Sequence, residues 1–289
     1  MKYKDRQGNL IVKETGQDKF LKKLYTTVIG RFFVRILITR PVTSICGFFL
    51  NRRISALFIN RFIKNNDIDM SQYEERKFKS YNDFFTRKIK EGKRPIDDSP
   101  NVLISPADGN ATVVPIGDDT LFSIKNTQYT LSQLLKDEKL AGDFKGGYCY
   151  IIRLAVDNYH RYCYSCNGVK SANVYLKGAL HTVNPVAAEL RPIYKENTRE
   201  FTVIESDKFG KLVQMEVGAL VVGKIVNYHK DAYKHSKGEE KGMFEFGGST
   251  IILITQKDKI KPSPDIIANS GEDCETIVKM GEAIGLAWN

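Results

Sequence analysis

Ile251-Ile252-Leu253-Ile254, set directly behind Phe246-Gly247-Gly248-Ser249-Thr250, constrains the fold of this chain more than any other stretch. A β-branched apolar run entered from a glycine pair predicts a buried strand. From about residue 100 the chain continues in that style. Short strands are predicted over residues 110–115, 148–154, 168–175, 201–205, 212–217, 221–226 and 250–255, separated by Gly, Asn and Asp turns. Residues 130–136 read as a short helix. Residues 231–243 are charged and glycine-containing, and they read as a surface loop that delivers the Gly248-Ser249 bond. The expected class is α+β: a mainly antiparallel β body with a helical N-terminal appendage. The division falls into a basic helical segment over 1–75 and a second domain over 76–289.

A Gly-Ser bond at the mouth of a strand has a chemistry of its own. Two glycines leave the backbone unshielded and free to bend. Ser249 Oγ is then able to add to the Gly248 carbonyl and turn the amide into an ester. Elimination cuts the chain and leaves dehydroalanine at 249, and hydrolysis converts that to a pyruvoyl group. Such a carbonyl condenses with an amine and then accepts electrons, as pyridoxal phosphate does. By itself the segment reads better as an ordinary Gly-Gly turn before a strand, with Ser249 a turn residue, because Gly-Gly-Ser is common.

Other segments join it. Ser105-Pro106-Ala107-Asp108-Gly109 is one, and Leu154-Ala155-Val156-Asp157-Asn158-Tyr159-His160-Arg161-Tyr162 is another. Asn82-Asp83-Phe84-Phe85-Thr86-Arg87, Arg94-Pro95-Ile96-Asp97, Val183-Asn184-Pro185 and Glu216-Val217-Gly218-Ala219 follow the same order. In sequence and approximate spacing the set resembles the phosphatidylserine decarboxylase proenzymes, most of all the short clostridial type. The resemblance runs from about residue 75 to the end, and more loosely through the N-terminal segment.

It implies an autoprocessed enzyme that converts phosphatidylserine to phosphatidylethanolamine and CO2. The cofactor implied is a covalent pyruvoyl group made from Ser249, with no metal. Cleavage between Gly248 and Ser249 is expected to leave a large chain (1–248) and a small chain (249–289) that stay together, a higher oligomer being open. The resemblance makes Asp108 the charge-relay aspartate, and His160 the histidine of the Tyr-His-Arg motif and the proton donor after decarboxylation. The family pattern continues to a second histidine, the cleavage base, three positions on. This chain has Cys163 there, and a thiol is a poor base unless its pKa is lowered. His181, just before the Val-Asn-Pro loop, stands where an aromatic residue is usual. An exchange is expected, with His181 supplying the imidazole and Cys163 filling the vacated space. The alternatives are that His160 does all the acid/base work, or that cleavage is lost and the protein is a lipid-binding paralogue. A related decarboxylase of another amino acid or amino-lipid is also open. His229 and His235, among lysines, are expected to be exposed. Arg161 and Arg199 are the candidates for phosphate recognition.

Charge adds a surface. Residues 1–65 hold 14 Lys/Arg and 3 Asp/Glu, or +11, while the remainder holds 30 and 31, or −1, so the first segment carries the whole net charge of +10. Apolar pairs recur every four residues from Phe20-Leu21 to Ile36-Leu37 and form one stripe of a helix that Pro41 should end. A second helix is expected over 56–64. Arg31, Arg35 and Arg40 break the apolar run, so neither helix should span a bilayer. A basic amphipathic helix suits an anionic membrane surface, or packing on its own domain. The expected location is peripheral, on the cytoplasmic face of the cell membrane. No nucleic-acid-binding signature is present. Five cysteines, an odd number, without a signal peptide point to reduced thiols. Cys163 and Cys166 form a CxxC, but no second pair completes a zinc site.

Overall fold

The computed structural model describes residues 2–12, 23–37, 39–124, 127–182, 193–219, 224–245, 247 and 249–288. Among them an eleven-stranded sheet forms the frame. Its strands run, from one edge, Tyr233–His235, Gly168–Lys170, Arg199–Ser206, Gly210–Val217, Ser249–Thr255, Tyr148–Leu154, Gly109–Pro115, Glu275–Val278, Lys2–Lys4 and Leu10–Val12. Val174–Leu176 pairs separately with Arg199–Ser206. Pairing is antiparallel throughout the sheet except between Lys2–Lys4 and Glu275–Val278. This is the α+β, mainly antiparallel body that the sequence predicts.

The predicted buried strand, Ser249–Thr255, lies between Gly210–Val217 and Tyr148–Leu154. Ile252 and Ile254 point into a core closed by the helices Leu131–Leu135, Glu138–Gly142 and Ile193–Glu196. Ile251 and Leu253 point the other way, into a core closed by two three-stranded sheets and the helix Pro264–Gly271. Both faces are covered, which is why the strand is a continuous apolar run and not an alternation. None of the four side chains is more than 1% exposed, and each contributes about 1.5–3 kcal/mol by burial.

Three local expectations change. Residues 2–12 are not part of the helical segment: they form two strands that extend the main sheet beyond Glu275–Val278. The strand over 168–175 is broken into Gly168–Lys170 and Val174–Leu176. The buried Lys170 ammonium takes Ser171 O, Asn173 Oδ1 and Asp231 O at 2.7–2.9 Å, and the chain curls to supply them. Residues 231–243 are not a surface loop. They contain the strands Tyr233–His235 and Glu240–Glu245, and the latter sits between Lys224–Asn227 and Arg161–Cys163. Its charged composition misleads because Lys241, 1% exposed, is neutralised inside the protein by Glu216 at 2.7 Å. His235 is likewise buried, stacked on Tyr164 with ring centroids 3.7 Å apart, and burial pushes its pKa down to about 4.

The N-terminal helices are Val28–Leu37, Arg40–Leu50 and Ile59–Asn65, with a 3-10 turn over Arg53–Phe58. Pro41 starts the second helix as well as ending the first, as its missing N–H allows in a first turn. Tyr25 and Val34 pack into the core, and Ser55 Oγ accepts from Tyr81 N at 2.9 Å. Ile29, Phe32, Phe33, Phe48, Phe49 and Leu57 instead face outward, each at least half exposed. No helix among the described residues is long and apolar enough to cross a membrane.

Candidate active site

Strand register brings distant motifs to one end of the main sheet. Ser249 opens its strand opposite Leu154, and the next row aligns Val217, Thr250, Arg153 and Asn110. Gly109 and Gly218 flank that row at the same end. Gly109 tolerates no side chain, since a Cβ would stand 2.8 Å from Arg153 O. Ser249 is 1% exposed and its Oγ has no hydrogen-bond partner among the described residues. Gly247, two residues earlier, has a φ of 83°, the left-handed conformation that glycine reaches without strain. Gly248, on the other side of the expected cleavage point, lies outside the described residues, as does the Val183-Asn184-Pro185 segment.

Asp108 ends the Ser105–Ala107 turn, which is fixed by Cys163 N donating to Pro106 O and Gly281 N donating to Ser105 O. Its carboxylate is 2% exposed and is gripped bidentately by Arg94, Nε to Oδ1 at 2.8 Å and Nη2 to Oδ2 at 2.5 Å. Met280 N adds a third donor at 2.9 Å. No histidine bonds it among the described residues.

His160 is fully buried, its ring 4.0 Å from that of Phe85. Nδ1 lies 2.9 Å from Asn158 O. A carbonyl only accepts, so Nδ1 carries the hydrogen and Nε2 keeps its lone pair. Nε2 makes no hydrogen bond of good geometry among the described residues, although the Gly247 backbone lies close enough to act on the ring. Burial, and then the Arg87 guanidinium, push the His160 pKa down to about 3, with the Asn158 and Gly247 backbone acting in the opposite sense. The influence of Gly247 puts the ring beside the segment that leads into Ser249.

His181 reaches the same end of the sheet from the other side. Asn197 Nδ2 donates to both His181 O at 2.7 Å and Gly218 O at 2.8 Å. The His181 ring meets Tyr25 OH at 3.4 Å through Nδ1 and Glu196 Oε2 at 3.5 Å through Nε2. It makes no direct bond to Ser249 Oγ or Asp108. Cys163 packs with Val102 and Ile104, and burial pushes its thiol up to about 12, so it is a neutral space-filling group. Cys166 belongs to a different core cluster.

The two phosphate candidates are already engaged. Arg199 donates to the Leu134, Lys195, Asn197 and Gln133 carbonyls and is a core strut. Arg161 is tied to Thr86 O, Tyr228 and Glu240. Arg94 and Arg87, by contrast, stand in the sequence only as members of motifs, and nothing there says that one clamps Asp108 and the other holds the carbonyls of the turn before His160.

The family model for phosphatidylserine decarboxylase matches residues 81–286. The chain is 46% identical to a phosphatidylserine decarboxylase proenzyme 2 of Clostridium acetobutylicum, over 92% of this chain and 91% of that one. It is 38% identical to a proenzyme of Clostridium botulinum over 98% of each, and 39% identical to one of Ruminiclostridium cellulolyticum over 95% and 93%. The α+β frame and these matches define a carboxy-lyase. The chain belongs to the phosphatidylserine decarboxylase family.

Proposed function

We propose that this protein is made as a precursor, cuts itself between Gly248 and Ser249, and then decarboxylates phosphatidylserine to phosphatidylethanolamine. Family membership supports the reaction. The observation that carries the self-cleavage is the buried Ser249 Oγ, unpartnered among the described residues, two residues after the left-handed Gly247, whose backbone also acts on the His160 imidazole. Ser249 Oγ adds to the Gly248 carbonyl carbon while a base takes its proton. The C–N bond breaks, the amine is protonated and an ester forms. Elimination then frees the Gly248 carboxylate and leaves dehydroalanine at 249, which loses ammonia on hydrolysis.

Ser249 fits the pyruvoyl group that would form from it, because its side chain is small, enclosed and free of any competing hydrogen bond. Once formed, that group supplies the electron sink for loss of CO2. His160 holds Nε2 as the acceptor for the Ser249 proton, and later returns a proton from Nε2 to carbon. Asp108, fixed by Arg94, provides the orienting negative charge at this end of the sheet. His181, turned toward Tyr25 and Glu196, supports the Asn197–Gly218 contact beside Ser249, and this favours His160 over the histidine exchange. In freshly made precursor, His160→Gln should slow cleavage by about 100-fold or more, the usual scale for a general base, and His181→Ala much less. Fast cleavage in His160→Gln with loss in His181→Ala would restore the exchange.

The outward Phe, Ile and Leu side chains of the N-terminal helices, beside Arg52, Arg53 and Arg61, support peripheral attachment to an anionic bilayer. Phe48→Ser with Phe49→Ser should weaken cosedimentation with phosphatidylglycerol vesicles at least about ten-fold, given about 1.5–3 kcal/mol for each buried ring. Binding should also fall with salt. Unchanged binding by a folded double variant would assign this face to something other than lipid.

A further inference from the structure

Arg87, the last residue of the Asn82–Arg87 motif, is fully buried and has no carboxylate partner among the described residues. A buried guanidinium without a counter-ion is costly, and such groups persist where their charge or their fork of donors has a use. Tyr73 and Phe84 present their rings to it, with centroids 4.3 and 4.8 Å from the guanidinium carbon. Its Nη2 reaches Asp157 O at 3.1 Å, Asn158 O at 3.4 Å and Tyr73 OH at 3.2 Å. Asn158 O is the same oxygen that faces His160 Nδ1. The Asn158 side chain closes the turn from within, its Oδ1 accepting from Ala155 N at 2.8 Å.

We propose that Arg87 is a positioning residue for His160: it clamps the Asp157 and Asn158 carbonyls, so that the imidazole is locked with Nδ1–H on Asn158 O and Nε2 left as the neutral proton acceptor. This rests on the reading that His160 is the acid/base group. Two effects run in the same direction. The shared carbonyl dictates the tautomer, and the fixed positive charge beside the ring opposes a second proton. The other neighbours of the imidazole carry no charge. The helix Tyr81–Phe85 presents the Phe85 ring and the chain before Ser249 presents the Gly247 backbone, while Phe244 N donates to the His160 main-chain carbonyl. Arg87 is therefore the one charged group that faces His160 among the described residues.

The test is made on the full-length Ser249→Ala precursor labelled with 15N-histidine. Only four histidines are present, and His160→Gln assigns the signal. With Arg87 in place, His160 should stay neutral with its hydrogen on Nδ1 from pH 8 down to pH 5. An Nε2–H tautomer, or titration with an ordinary histidine pKa, overturns the proposal before any Arg87 variant is made. In Arg87→Met the tautomers should mix and His160 should titrate within that range. On the Ser249-containing precursor, Arg87→Met should then cleave about ten-fold more slowly one pH unit below the restored pKa near 6.5 than at pH 8, while the parent rate stays flat. Arg87→Lys, which keeps the charge, should keep the flat profile at a reduced rate. A parent-like tautomer and pH profile in folded Arg87→Met, or in Arg87→Lys a profile that falls in acid, refutes the clamp. If His160→Gln cleaves normally, the function assigned to His160 fails, and the NMR result still decides whether Arg87 sets its tautomer.

Discussion

Replacing Ser249 with Ala is expected to give one uncut chain of 289 residues that is folded and without decarboxylase activity. The parent protein should run as two fragments, residues 1–248 and a small chain that begins at the converted Ser249. The effect is all-or-none because the hydroxyl is both the nucleophile of cleavage and the source of the reactive carbonyl. The fold should survive, since Ser249 Oγ bonds nothing and the substitution leaves no buried partner unsatisfied. The intact mass of the small chain distinguishes this route from ordinary proteolysis. A pyruvoyl end has lost the amino group that a serine end retains. Two fragments from Ser249→Ala, or a small chain beginning with an unmodified serine, would rule the mechanism out.

The largest expected loss of stability lies at Lys241. Its ammonium, 1% exposed, binds Glu216 Oε2 and Asn227 Oδ1, each at 2.7 Å, and Glu216 is fully buried. Burial raises the Glu216 pKa and Lys241 opposes that rise. Lys241→Met leaves the carboxylate without its counter-charge, which costs about 3–5 kcal/mol for a buried pair broken on one side. The sign with pH follows. Glu216, with its folded pKa raised further above the unfolded value, can escape by protonation in acid, so the deficit should shrink as pH falls toward 5 and grow toward pH 8. Adding Glu216→Gln should recover most of the loss. Urea denaturation of the three proteins at both pH values measures this. A Lys241→Met midpoint equal to the parent's at pH 8 would show that the pair is not worth its burial. The same lysine anchors the strand that leads into residues 246–249, so slower self-cleavage should accompany the instability.

Much of the frame was legible because its signals are local. The run Ile251–Ile254 had to be a buried strand, since nothing else hides four such side chains at once, and the alternating segments around it had to pair with it or with each other. The mainly antiparallel α+β class and the short helix Leu131–Leu135 come from spacing alone, whereas the helix Arg40–Leu50 and the outward facing of Phe48 and Phe49 do not. Ser249 stands out only when the Gly-Gly-Ser-Thr segment is taken together with the other family motifs. Charged residues were read less well. Residues 231–243 look like a solvated loop because composition does not record that Lys241 meets Glu216 or that His235 lies under Tyr164. Arg199 and Arg161 look available for a phosphate, and both are consumed by oxygens, Arg161 by those of distant segments and Arg199 by the Leu134 and Gln133 carbonyls together with its own neighbours Lys195 and Asn197.

The sequence by itself determined the α+β class, the buried strand over Ile251–Ile254 and the position of Ser249 at that strand's mouth, because hydrophobic period and turn chemistry act over a few residues. Only the tertiary structure decided which polar groups meet one another. It put Arg94 on Asp108, Arg87 beneath the His160 turn, and His181 against Tyr25 and Glu196. These are contacts between segments separated by 14 to 156 residues. Their partners are fixed by strand register and burial, and an ionisable side chain carries no mark in sequence of the charge it will face once water is excluded.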